Sequence, residues 1–129
     1  AVLGFIAVAL GALGAHKLKD ILSAENLEIF QKGVTYQFYH VLAMAVAAIL
    51  LKQYDEKRFY RAGMFFMAGI FCFSGSLYIL ALRDVQVSAT STMSDFISSA
   101  IIGPITPIGG LLFLSGWVLL LTGIVKIKS

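Results

Sequence analysis

Four stretches of this chain hold no charged side chain and are dominated by apolar ones: Ala1–Ala15, Val34–Leu51, Ala62–Leu82 and Pro107–Val125. The hydrocarbon core of a bilayer is about 30 Å thick and takes about 20 apolar residues as helix. The last three stretches approach that length, and the first is short for a full span. Backbone N–H and C=O groups in lipid have no water to bond, so each stretch is predicted to be helical. Composition agrees, with 59% apolar and 13% charged residues, where soluble domains carry roughly 25% charged. A soluble domain of 129 residues leaves too much area exposed to hide that apolar fraction. The sequence therefore reads as a single all-α integral membrane domain over 1–129, an antiparallel four-helix bundle. A soluble enzyme, a disordered chain and a disulfide scaffold are excluded. The lone Cys72 sits inside an apolar run and reads as a small hydrophobe. The net charge is +3, but the ten basic residues are scattered, and a nucleic-acid partner needs a contiguous basic face.

The connections differ in character. Ala1 opens in an apolar run with no basic segment before it, which favours a trimmed first span over a signal peptide. Ser23 is suited to cap a helix, and Glu25 sits near that helix's positive end. Leu27, Phe30, Val34 and Phe38 follow at helical spacing. An amphipathic helix is predicted from about Ala24, running unbroken into the second span. Residues 52–61 read as a short charged turn. In the connection 84–106, Ser94 or Asp95 is placed to cap a short apolar helix over 96–102. Pro104 and Pro107 are expected to stop and restart the chain. Residues 101–110 are then a candidate break, with a capped helix start as the simpler reading. Lys52, Lys57, Arg58, Arg61, Lys126 and Lys128 fall on one side, against Lys17, Lys19, Lys32 and Arg83 on the other. Six against four predicts both termini on the cytoplasmic side.

Small residues recur at helical spacing. Gly109, Gly116 and Gly123 are seven apart, while Ala7, Gly11 and Ala15 are four apart, as are Ala68, Cys72 and Ser76 beside Gly75. Such stripes let membrane helices approach closely, so Gly11, Gly75, Gly109, Gly116 and Gly123 are read as helix-packing positions. Polar residues gather at one end of the runs. His16 closes the first; Tyr36, Gln37, Tyr39 and His40 open the second; Tyr78 and Arg83 lie near the end of the third; Thr106 precedes the fourth. Antiparallel spans put all of these toward one face, and Gly33, Gln37, His40 and Met44 share a stripe. Polar groups at membrane depth are costly and often functional. His16, Tyr36, Gln37, His40, Tyr78 and Arg83 are therefore candidates to hold the head of an amphipathic small molecule. Structural glue with interface anchoring is the competing reading. A metal site is a third, although two histidines lack a clear third ligand, and no metal or cofactor is predicted. No catalytic residue is assigned. Ser74 and Ser76 flank Gly75 in mid-helix, where a nucleophile elbow needs a strand-to-helix turn. All seven acidic residues lie outside the four runs, leaving no carboxylate pair for proton relay within the membrane.

The strings GALGAHKLKD, LSAENLEIFQKGVTYQFYHVLA, FCFSGSLYILAL and GPITPIGGLLFLSGW closely resemble the DUF423 family of small membrane proteins. Its bacterial members are labelled UPF0382, and transmembrane protein 256 of animals looks related. The matching strings spread from Gly11 to Trp117. The resemblance implies a four-span membrane protein in the bacterial inner membrane, and it brings no established activity, substrate or catalytic residue. Segment 84–102 looks longer than the family's usual link, which puts in doubt any role needing a compact mouth there. The expectation is a non-enzymatic accessory, scaffold or assembly component in the lipid bilayer, with a membrane-protein partner or as a homo-oligomer. The alternative is a binder or carrier of a lipid or quinone at the polar cluster near the non-cytoplasmic face.

Overall fold

A computed structural model of the chain describes residues 1–86 and 103–128. The predicted cap at Ser94 or Asp95, the short helix 96–102 and most of the long connection lie outside the described residues. The described chain is helical from end to end: α1 Val2–His16, a 3₁₀ turn Leu18–Asp20, α2 Ala24–Tyr54, α3 Lys57–Gly69, a π-helical turn Ile70–Ser74, α4 Gly75–Gln86 and α5 Gly103–Lys128. The π turn joins α3 and α4 into one continuous rod. Among the described residues, four helices are long and apolar enough to cross a membrane: Val2–Asp20, Ala24–Tyr54, Lys57–Arg83 and Gly103–Ile127. The protein is an antiparallel four-helix membrane bundle.

Local chemistry sets the ends. The Ser23 side chain accepts a hydrogen bond from the Asn26 N–H at 3.2 Å, and the helix it caps runs unbroken for 31 residues. The charged turn is tighter than expected. Among the described residues only Asp55 adopts a left-handed conformation, φ 48°, which short polar residues tolerate best after glycine. Glu56 then caps α3 by accepting from the Arg58 N–H at 3.3 Å. At the other end of the chain, Pro107 does not restart a helix. It lies inside α5, which begins at Gly103, so residues 103–110 are continuous helix and not a break. The first four N–H groups of a helix have no partner within it. Pro107 thus forfeits only the bond to Gly103, and the helix tolerates it there.

Packing is layered around α2 and the α3–α4 rod. The core joins Ala43 and Ala47 of α2, Phe59, Ala62, Phe66 and Ile70 of the rod, and Phe113 and Leu120 of α5. Leu18 and Leu22, turned back by the 3₁₀ segment, form a second cluster with Phe30 and Ala81. Among the described residues, α1 packs on α2 and its own turn alone. Gly4 meets Val41 and Gly11 meets Val34, so the two helices run antiparallel with paired positions summing to 45.

Candidate functional site

The seam between the rod and α5 explains the glycine stripe. Phe59, Phe66 and Phe73 are spaced by seven, and they face Gly123, Gly116 and Gly109 respectively. Each pair sums to 182, as antiparallel helices require. Gly69 receives the ring of Phe113 by the same rule. A Cβ at Gly116 would stand 2.6 Å from two Phe66 ring carbons, and one at Gly123 would stand 2.6 Å from Phe59. At Gly109 it would run into the Phe73 backbone, where the π turn brings the rod against α5. Three of the predicted packing glycines therefore meet this chain's own α3–α4 rod. Gly11 sits against Val34 at ordinary contact, and Gly75 has open space where a Cβ would go, so close approach does not account for the glycine at 75.

The predicted polar cluster divides in two. In the first part, the Gln37 amide nitrogen donates to the Leu3 carbonyl at 2.7 Å. The Gln37 carbonyl oxygen accepts from the Tyr78 hydroxyl at 2.8 Å. Tyr78 lies over Gly33, where a Cβ would be 2.7 Å from its ring, and stacks obliquely on Phe30 at 5.0 Å. One glutamine thus ties α1, α2 and α4 together. In the second part, His40 is buried and both ring nitrogens are engaged. Nδ1 lies 2.8 Å from the Tyr36 carbonyl, which only accepts, so Nδ1 carries the proton. Nε2 accepts from the Trp117 indole N–H at 3.3 Å, and that group only donates. The imidazole is therefore held as the neutral Nδ1–H tautomer. Its ring stacks on Phe113 with centroids 3.4 Å apart and planes 6° apart, while Tyr36 covers Phe73 at 4.8 Å.

His16 does not join either part. By the α1–α2 register it is level with Ile29, and Gln37 lies eight residues further on, roughly 12 Å along the axis at 1.5 Å per residue. His16 is exposed at the end of α1. The reason is the early start of α2: helix from Ala24 places Gln37 and His40 in mid-helix rather than at its mouth. Arg83 is half-buried and lies five residues beyond Tyr78, roughly 7.5 Å further along α4. Among the described residues no group of three or more His, Cys, Asp or Glu side chains is placed to hold a metal ion.

Two hydroxyls of the π region behave differently. Ser76 donates to the Phe73 carbonyl at 2.8 Å. Its single proton is then taken, so Thr106 donates to it across the seam at 2.7 Å. Ser74 is fully buried, and its hydroxyl has no partner among the described residues. In an α-helix a serine can bond the carbonyl four residues back. Here that carbonyl, on Ile70, accepts the Gly75 N–H in the π pattern.

Sequence reasoning missed Trp117, the Leu3 carbonyl and the phenylalanines. The available signal was the heptad of Phe59, Phe66 and Phe73, whose spacing matches the glycines. An ion cluster at the far end was also missed. Glu56 pairs with Lys126 at 2.6 Å and approaches Arg58 Nε at 4.0 Å, while Arg58 donates to the Thr122 carbonyl at 2.9 Å. The hydrogen bond from Lys126 holds the Glu56 carboxyl below the ordinary carboxylate range. Partial burial opposes it, and the Arg58 N–H and both cations assist. A groove of about 370 Å³ opens outward between α1 and α2, lined by Ala7, Val8, Gly11, Ala12, Val34, Thr35, Phe38 and Tyr39.

Residues 10–110 match the family described as "Protein of unknown function (DUF423)". The chain is 38% identical over 128 residues to the UPF0382 inner membrane protein YgdD of Escherichia coli (strain K12), covering 99% of this chain and 87% of that protein. It is 40% identical over 122 residues to the UPF0382 membrane protein SSP2132 of Staphylococcus saprophyticus, covering 95% and 89%. With a UPF0382 membrane protein of Haemophilus influenzae it shares 42% identity over 127 residues, covering 98% and 90%. No solved structure matches the chain.

Proposed function

The chain belongs to the DUF423 family of membrane proteins, and from that premise we propose that it is a non-enzymatic component that works by association. It serves as an accessory or scaffold subunit in the inner membrane, with both termini cytoplasmic. The observation that carries this reading is the closure of the interior. The side chains of Gln37, Tyr78, His40 and Ser76 bond to other groups of the same chain. A ligand at the predicted cluster must break those bonds, and a buried group left unpaired costs about 1–3 kcal/mol. What remains for partners is the outer surface. There, among the described residues, α1 packs on α2 and its own turn only and turns Ala9, Ala12 and Ala15 outward, small residues of the kind that favour contact between membrane helices.

A second reading has one observation in its favour. The α1–α2 groove, of about 370 Å³ and mostly apolar in its lining, has room for part of a hydrocarbon chain, with Thr35 and Tyr39 as polar contacts. A lipid or quinone carrier then uses that groove and not the closed cluster.

Native mass spectrometry of the protein released from its own membrane in a lipid-retaining medium separates the two. A stoichiometric protein partner or a fixed oligomer is expected. A monomer holding one small molecule, lost on Thr35→Leu with Gly11→Leu, overturns association in favour of the carrier. A bare monomer with no partner overturns both.

A further inference from the structure

The outward face of α3 and the π turn carries a graded stripe. Lys57, Tyr60, Arg61, Met64, Ala68 and Phe71 all face away from the bundle, while Phe59 and Phe66 on the opposite side lock onto α5. Lys57 and Arg61 are four apart and share one face. Of the two carboxylates near them, Glu56 is engaged by Lys126 and Arg58, and Asp55, in the turn before α3, makes no ion pair with either among the described residues. Among the described residues neither Lys57 nor Arg61 has an ion-pair or hydrogen-bond partner. This end of the molecule holds Lys52, Lys57, Arg58, Arg61, Lys126 and Lys128 against Asp55 and Glu56, six minus two, or +4. The whole chain is +3, so everything else sums to −1.

We propose that this stripe binds an anionic phospholipid. The phosphate sits against the Lys57 ammonium and the Arg61 guanidinium, whose planar fork suits phosphate oxygens. Tyr60 occupies the headgroup boundary, as interfacial tyrosines do. One acyl chain runs down Met64, Ala68 and Phe71. From Lys57 to Phe71 is 14 residues, roughly 21 Å of helix, and half of a ~30 Å hydrocarbon core is about 15 Å. The stripe therefore matches one leaflet plus its headgroup. A free phosphate uses only the upper two residues and gains nothing from the apolar continuation. This assignment does not depend on the proposed role in association.

The test places the purified full chain in nanodiscs of equal phosphatidylglycerol and phosphatidylcholine and measures retained lipid by native mass spectrometry. Wild type is expected to retain phosphatidylglycerol selectively. Lys57→Gln with Arg61→Gln is expected to lower that preference roughly thirtyfold, from about 1 kcal/mol per basic residue near the surface. Lys17→Gln with Lys19→Gln, at the other end, should leave it unchanged. A preference that survives the first pair, or falls equally with the second, overturns the proposal. If the first pair fails to fold in phosphatidylcholine alone, wild type in 0.5 M salt decides. Loss of the preference supports the charged contact, and a salt-insensitive preference refutes it. Competition by glycerol phosphate as effective as by the intact lipid shows a simple anion site and also overturns it.

Discussion

Gly116→Ala isolates the seam that holds the rod to α5. The added Cβ would lie 2.6 Å from Cδ1 and Cε1 of Phe66 and 3.2 Å from Cζ, where carbon atoms prefer about 3.5–4.0 Å. The ring must retreat by roughly 1 Å. It has little room, being fully buried, edge-on to Trp117 at 5.3 Å and tilted against His40 at 5.6 Å. Overpacking of this kind costs about 1–3 kcal/mol. Against it stands the gain of about 0.5–1 kcal/mol from replacing a helical glycine by alanine. The net expectation is a loss of about 1–2 kcal/mol. Gly110→Ala and Gly75→Ala meet open space, so only the gain applies and both should stabilise. Reversible unfolding in mixed detergent, followed by helical circular dichroism, reads all three. Phe66→Leu combined with Gly116→Ala should recover part of the loss, with a coupling of about 0.5–3 kcal/mol. The loss should not depend on protein concentration, because the clash is within one chain. If Gly116→Ala stabilises as much as Gly110→Ala, the seam register is wrong. If its effect grows on dilution, the glycine faces another chain.

The remaining predictions concern polar groups. Tyr78→Phe strands the Gln37 carbonyl oxygen and should destabilise by about 0.6–2 kcal/mol, the range for hydrogen bonds between membrane helices. Adding Gln37→Leu should cost much less than the sum of the two single changes, and strict additivity in the same unfolding assay would refute the pairing. Ser74→Ala removes a buried hydroxyl that has no partner among the described residues and should be neutral or stabilising; a clear loss of stability would reveal a buried partner such as an ordered water. Glu56 has its carboxyl value lowered in the fold, so its contribution is present above the ordinary carboxylate value and lost as pH falls through the lowered one. Glu56→Gln should therefore lower the thermal midpoint at pH 7, and the gap to wild type should close on acidification. A gap that persists at pH 2 would rule out the charge as its source.

The four membrane-capable helices were legible because lipid forbids unpaired charge and unpaired backbone, and the sequence shows both constraints as long uncharged runs. The start of α2 was legible because Ser23 offers the cap chemistry that a helix end requires. The depth of the polar cluster was not legible. The apolar run begins at Val34, which reads as the mouth of a span and sets Gln37 and His40 level with His16. The helix begins ten residues earlier, at Ala24, and the antiparallel partner α1 is counted from there. Periodicity alone cannot place one helix against another; that takes a contact pair, and Gly11 on Val34 supplies it. The π turn left no compositional mark, since its residues IFCFS suit an α-helix equally well.

The glycine heptad shows why a stripe needs its counterpart before it is given a partner. Gly109, Gly116 and Gly123 look like an adhesive face for another protein when α5 is read alone. Phe59, Phe66 and Phe73 repeat with the same period and opposite size, and the two sets fit only if the helices run antiparallel. That complementarity closes the seam inside one chain, with Gly69 and Phe113 reversing the roles in between. Association then has to use surfaces the seam leaves free. Among those are the far side of α1, which packs on α2 and its own turn among the described residues, and the outer face of α5, where Leu111, Leu114, Val118 and Leu121 are exposed. A partner that binds α1 should tolerate Gly116→Ala wherever the fold survives, and should be lost when Ala9 or Ala12 is enlarged to leucine. Co-purification of the two variants distinguishes a surface that binds others from a seam that builds the protein itself.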